Sequence, residues 1–142
     1  MKLQPGTYYI GDPCYILPNR DWSKILNQTN YFDGEIYQLY GKNVWGHGTA
    51  YGDGSYPDQF GNSYPVDAGL IAVIPIEICD FEGNGYKLEG DKILDTRSLN
   101  FQFEPGYIFT FNQEFEVVYS NGIFEIGHIR IDTEGDSYDD EI

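Results

Sequence analysis

The dipeptide Asn121-Gly122, set in "QEFEVVYSNGIFEIGHIRIDT", constrains the fold more than any other feature of the chain. Both residues tolerate the positive φ of a type I′ turn, whose twist matches that of the strands it joins. A two-residue turn there sets Ser120 against Ile123 and Tyr119 against Phe124. The side-chain period of two then puts Phe115, Val117 and Tyr119 on one face with Phe124 and Ile126, and Glu114, Glu116 and Glu125 on the other. The apolar set faces a core. At Gly127 the apolar positions change parity, to Ile129 and Ile131. A β-bulge at Gly127 keeps all of them inward and turns His128 to solvent; without it His128 is a core histidine.

A second hairpin is expected in "YKLEGDKILD", where Gly90-Asp91 suits a type II′ turn and pairs Leu88 with Ile93 and Glu89 with Lys92. Further strands are read in "TYYIG", "EIYQLYG", "NVWGHGTAYG", "GLIAVIP", "LNFQFE" and "YIFTF". With 13 Tyr, 9 Phe and 17 Gly against a single Met, the composition favours strands joined by tight turns. One short helix is expected in "DWSKILNQT", capped by Asp21, with Trp22, Ile25, Leu26 and Thr29 at helical spacing and Trp22 inserted on a sheet. "NQTNYFDG" beyond it reads as loop. The fold class is therefore all-β, an antiparallel sandwich or open barrel with one short helix, and nothing matches the alternating pattern of a nucleotide-binding α/β domain. Residues 1–131 form a single β domain and residues 132–142 an acidic C-terminal tail.

The chain has 142 residues, with 23 acidic against 8 basic and a net charge of −15. Nine of the acids, but only Arg130 among the bases, follow residue 110. Such a chain is repelled by nucleic acid and anionic membranes and attracted to basic partners, so neither direct nucleic-acid binding nor membrane binding is expected. The opening MKLQPGTYYIGD has no apolar run of the kind a secretory signal or membrane anchor needs, which points to the cytoplasm. Cys14 and Cys79 are expected to stay reduced. With His47 and His128 they lack the paired spacings of a zinc site, and no metal, cofactor or catalytic residue is assigned.

"YYIGDPCYIL" and "AYGDGSYPDQFGNSYPVDAG" are the two stretches where chemistry could reside. In the first, Asp12 suits the start of a turn, accepting a hydrogen bond from the N–H two residues on, with φ preset by Pro13 and crowding relieved by Gly11. The functional alternative makes Cys14 a nucleophile paired with His47 or His128. Asp12, Asp53, Asp58 and Asp67 could alternatively meet around a hard cation, though the ligand spacing of a helix-loop-helix calcium site is missing. A pair of them could act on a glycan at a suitable carboxyl separation. The glycines around His47 and Asp53 match neither the phosphate-binding loop nor the dinucleotide fingerprint. No G-x-S-x-G elbow occurs. Tyr8, Tyr9, Tyr15, Tyr37, Tyr40, Tyr51, Tyr56 and Tyr64 read either as an exposed binding stripe or as half-buried sheet residues with hydroxyls reaching solvent.

Charge supplies the leading hypothesis. Carboxylates two residues apart on one strand face lie ~7 Å apart, near the spacing of successive phosphates. Glu114, Glu116, Glu125, Asp132, Glu134 and Asp136 would then form a negative band that occupies the basic cleft of a partner. The plainer reading is a solvated acidic face. The expected function is a non-enzymatic acidic binder and inhibitor of a basic protein. Alternatives are a small-ligand or metal-binding module built on Asp12, Cys14, Tyr15, His47, Asp53 and Asp67, and a hydrolase using Cys14 or the aspartates.

"PGTYYIGDPCYIL" and "GTAYGDGSYPDQFGNSYPVDAGLIAVIP", followed by an acidic hairpin, resemble a group of uncharacterised small proteins of bacteriophages and large viruses, related more loosely to a bacterial domain family of unknown function. The shared marks are the Gly-Asp-Pro-Cys-Tyr corner and the Val-Asp-Ala-Gly segment, within residues 5–17 and 48–75. The resemblance implies an intracellular viral or bacterial accessory protein, makes the basic partner a host protein, and singles out Gly11, Asp12, Pro13, Cys14, Tyr15, Asp53, Asp67 and Gly69. It also implies that the two corners meet in space.

Overall fold

The computed structural model describes residues 1–28, 34–97 and 101–134. In chain order its strands are β1 (Lys2–Leu3), β2 (Gly6–Gly11), β3 (Ile36–Leu39), β4 (Lys42–Gly48), β5 (Gly54–Pro57), β6 (Ser63–Val66) and β7 (Leu70–Pro75), then β8 (Tyr86–Glu89), β9 (Lys92–Asp95), β10 (Gly106–Phe111), β11 (Phe115–Ser120), β12 (Ile123–Ile126) and β13 (Ile129–Asp132). All pairings are antiparallel. A five-stranded sheet runs β10-β2-β7-β4-β3, a four-stranded sheet runs β1-β11-β12-β13, and β5-β6 and β8-β9 are separate hairpins. Among the described residues no helix is long and apolar enough to cross a membrane.

β7 is central because "LIAVIP" is apolar at every position and buried throughout, the pattern of a strand covered on both faces. Ile71 and Val73 point to one side, where they meet Tyr8, Ile10 and Trp45 of the same sheet and Val117, Phe124, Ile126, Ile129 and Ile131 of the four-stranded sheet. Leu70, Ala72 and Ile74 point to the other, into a second core closed by Ile25, Phe81, Tyr86 and Ile93. The chain therefore builds three layers: sheet on sheet, then helix and hairpin. It is the sandwich of the two expected architectures, with no barrel closure. Truncating Ile71 to alanine costs roughly 2–5 kcal/mol, the usual range for a fully buried branched side chain.

The hairpins predicted from turn chemistry form in the predicted register. Ser120 pairs with Ile123 and Tyr119 with Phe124, with Asn121 and Gly122 at φ 51° and 86°. Leu88 pairs with Ile93 and Glu89 with Lys92. The parity change at Gly127 has a different cause from the expected bulge. Gly127-His128 is itself a two-residue turn, pairing Ile126 with Ile129, so the strand reverses. His128 is exposed, as the bulge would also have made it.

The helix α1 spans Asn19–Gln28, and the Pro18 carbonyl accepts from the N–H groups of Asp21 and Trp22 at 3.0 Å each, so Asp21 lies inside the first turn and is not the cap. Its buried carboxylate accepts from the Tyr40 hydroxyl at 2.8 Å. Ile25, fully buried, anchors the helix, while Trp22 is only partly buried. Asn27 and Gln28 are helical; Thr29 and the rest of the expected loop up to Asp33 lie outside the described residues. Residues 101–104 of the expected "LNFQFE" strand are irregular, its first two residues lie outside the described ones, and β4 stops at Gly48. The tail does not begin at Asp132. That residue ends β13, and Thr133 is fully buried, its N–H and hydroxyl both donating to the Gly122 carbonyl. Residues 135–142, including Asp136, lie outside the described residues.

Candidate functional site

Asp12 sits where β2 ends. Pro13 begins a single tight helical turn, and Asp12 caps it by accepting from the Cys14 N–H through Oδ1 at 2.9 Å. Its Oδ2 accepts from the N–H groups of Asp67 and Ala68, both at 2.7 Å. The Gly-Asp-Pro-Cys-Tyr corner and the Val-Asp-Ala-Gly segment thus meet, and the Asp12 carboxylate is the joint. The turn half was legible locally; the link to residues 67 and 68 depends on tertiary placement.

Glycine allows this joint to form. Gly11 pairs with Gly106 across β2 and β10, and the Tyr9 ring lies over both. A β-carbon on Gly106 would stand 2.5 Å from the Ile10 carbonyl oxygen, and one on Gly11 would stand 2.7 Å from the Tyr9 hydroxyl. With neither present, the Tyr9 hydroxyl donates to the Asp12 carbonyl at 2.9 Å, with the Pro105 carbonyl at 3.2 Å. Phenols act similarly elsewhere. Buried Tyr8, Tyr56 and Tyr64 donate to the Gln4 carbonyl, the Gly52 carbonyl and Asp58 Oδ2 at 2.8, 3.0 and 2.7 Å. Their hydroxyls, like that of Tyr9, are tied to acceptors of the protein, so four members of the expected stripe are fasteners of the fold. Tyr15 and Tyr37 are partly buried, and Tyr40 and Tyr51 are exposed.

The electrostatics of the corner oppose nucleophilic chemistry. Burial holds the Asp12 carboxyl above its ordinary pKa, against the pull of the Ala68, Cys14 and Asp67 amides. Burial first, then Asp12, Asp67 and Asp53, push the Cys14 thiol far up, the opposite of what a reactive cysteine requires. Tyr15 is likewise raised by burial and packs edge-on against Phe103 at 5.2 Å. Asp12, Cys14, Tyr15, Asp53 and Asp67 are therefore gathered at one corner. His47 belongs to a different environment: it stacks on Tyr119 with centroids 3.7 Å apart, and its Nδ1 lies 2.8 Å from the Gly48 carbonyl oxygen. Asp58 fastens its own loop, accepting from the N–H groups of Phe60 and Asn62 and from Tyr64. Among the described residues no three His, Cys, Asp or Glu side chains form a group able to hold a metal ion.

The acidic residues of the four-stranded sheet fall on its outward face. Lys2 stands beside Glu116, Val118 beside Glu125 and then Arg130, and Ser120 beside Ile123 and then Asp132. Glu114 precedes β11, where Lys2 approaches it at 3.8 Å and Gln4 donates to it at 3.1 Å. Glu134 follows β13, its N–H donating to Asp132 at 3.0 Å. Five carboxylates thus share this side with two cations, an interrupted patch where an unbroken band was expected. Exposed acids also occur away from it, at Glu35, Asp53, Asp67, Glu77, Glu82, Glu89, Asp91 and Glu104.

No family model, curated protein or solved structure matches the chain.

Proposed function

We propose that the chain is a non-enzymatic acidic binding protein that engages and inhibits a basic partner protein through the outward face of the four-stranded sheet. The observation that carries this reading is the strand parity that sets Glu116, Glu125 and Asp132 on that face, extended at its ends by Glu114 and Glu134. A net charge of −15 draws such a partner in over distance, and the face gives the encounter an orientation. Catalysis is the weaker reading, because the Asp12 carboxylate is engaged by three backbone amides and the Cys14 thiol is held protonated. By the resemblance of the two corner motifs, the partner is a host protein met in the cytoplasm.

Affinity capture from bacterial lysate at low and high salt supplies the partner, which is then titrated against variants. Neutralising Glu114, Glu116, Glu125, Asp132 and Glu134 together weakens binding about fiftyfold to a hundredfold, at ~0.5 kcal/mol for each charge. High salt weakens the wild type similarly and the variant little. Equal affinity of wild type and variant across the salt range refutes the proposal.

A further inference from the structure

β10 ends the five-stranded sheet, and among the described residues it pairs only with β2. No other backbone hydrogen bond involves residues 106–111 among those residues. Its sequence, "GYIFTF", has no charge, no proline and strong β-propensity. Proteins ordinarily blunt such an edge with lysine, proline or a covering segment, because a row of free N–H and C=O groups invites another strand. β9 pairs with no strand but β8 among the described residues, and its other edge is closed at Asp95, whose N–H and carbonyl are both taken by the Gln102 side chain, and left without a strand partner at residues 92–94. Between residues 92–94 of β9 and residues 106–109 of β10 lies a groove of about 440 Å³, within the range of ligand-holding clefts. Four residues of extended chain span ~13 Å, the length of the β10 stretch that lines the groove. The groove is held in shape by Tyr107, whose hydroxyl donates to the Ser63 carbonyl at 3.0 Å.

We propose that this groove binds an extended, lysine- or arginine-bearing segment of a partner protein, which adds to β10 as a further strand. Apolar side chains of the segment lie in the groove, and its main chain pairs with the open edge. Charge selects the occupant. Asp91 and Glu104 line the groove with Lys92 as its only base among the described residues. A second copy would bring another net charge of −15 against the first, so edge-to-edge dimerisation is disfavoured where a basic segment is attracted. The groove shares no residue with the carboxylate face of the four-stranded sheet, and the inference stands without that face.

The test uses the full chain and three acetylated hexapeptides: alternating lysine and valine, alternating glutamate and valine, and the lysine peptide N-methylated at every residue. Amide shifts are followed by heteronuclear NMR. The lysine peptide is expected to shift residues 92–94 and 106–109, and full N-methylation to weaken it about tenfold or more, since each backbone hydrogen bond contributes near 1 kcal/mol. The glutamate peptide binds more weakly, and the pair Asp91→Asn and Glu104→Gln lowers affinity for the lysine peptide alone. Neutralising Glu116, Glu125 and Asp132 lowers the affinity less than the groove pair does, which separates this result from that of the carboxylate face. Shifts centred elsewhere, equal binding of the N-methylated peptide, or no shifts with the lysine peptide would each overturn the proposal.

Discussion

Replacing Asp12 with alanine tests the corner most directly. The substitution leaves the amides of Cys14, Asp67 and Ala68 without their acceptor. Hydrogen bonds to a charged acceptor contribute about 1.5–3 kcal/mol each when buried. Cys14 is partly exposed and residues 67 and 68 are exposed, so water replaces part of the loss. At ~1 kcal/mol per donor the variant is destabilised by about 3 kcal/mol, which lowers the midpoint of thermal unfolding by about 10 °C. Urea unfolding followed by near-UV circular dichroism reads this, and hydrogen exchange should accelerate first at the amides of Asp67 and Ala68. The pH dependence has a definite sign. Because burial raises the folded-state pKa of Asp12, its contribution is fully present below the unfolded value of about 3.9 and is lost as pH rises through the folded value. The gap between wild type and Asp12→Ala therefore widens from neutral pH into mild acid. A gap that narrows would mean that the amides outweigh burial, and an unchanged unfolding midpoint would show that the corner is not a structural joint.

Four further outcomes follow from the same geometry. Cys14, held protonated by burial and by Asp12, should alkylate with iodoacetamide at neutral pH at least about tenfold more slowly than a free cysteine; a normal rate contradicts the assigned environment. Tyr64→Phe removes the donor to Asp58 and should cost roughly 1–2 kcal/mol in urea unfolding, with no loss if the phenol is not a fastener. Gly122→Ala places a β-carbon 2.6 Å from that of Glu134 at φ 86°, and should destabilise by about 2–4 kcal/mol by calorimetry, a tolerated change contradicting the turn assignment. Added sodium chloride should raise the thermal midpoint at neutral pH by screening the self-repulsion of a chain with net charge −15, and a salt-independent midpoint would show that repulsion is negligible.

What was legible in the sequence was local. Asn121-Gly122 and Gly90-Asp91 each specify a turn within four residues, and the register of both hairpins follows from them. The turn made by Asp12 with Cys14 was equally local. Residues 54–66 hid a hairpin, because Pro57 and Pro65 weigh against strands and the Gly and Asp around them read as corners. β1 is only two residues long and exists because β11 pairs with it, which no local pattern announces. Residues 101–104 alternate like a strand, yet the Gln102 side chain is drawn aside to accept from the Asp95 N–H at 3.1 Å. At the candidate site the residue types were readable and their use was not. A carboxylate on a turn looks the same whether it awaits a ligand or, like Asp12, already holds two amides from a segment 55 residues away.

The strand order also dictates when the molecule can acquire its shape. Lys2 waits for Glu116, and Tyr8 and Tyr9 wait for Phe109 and Ile108, so β1 and β2 find these neighbours only after about a hundred further residues have been made. Until then β2 has one flank uncovered and the inner surface of the growing sheet lacks its opposing layer. Such long-range closure makes folding slow compared with helical proteins of similar size, and leaves nascent chains exposed to aggregation in the interval. Ribosome-stalled chains ending before residue 106 should therefore be digested readily by protease, with resistance arriving abruptly once β10 through β13 have cleared the exit tunnel.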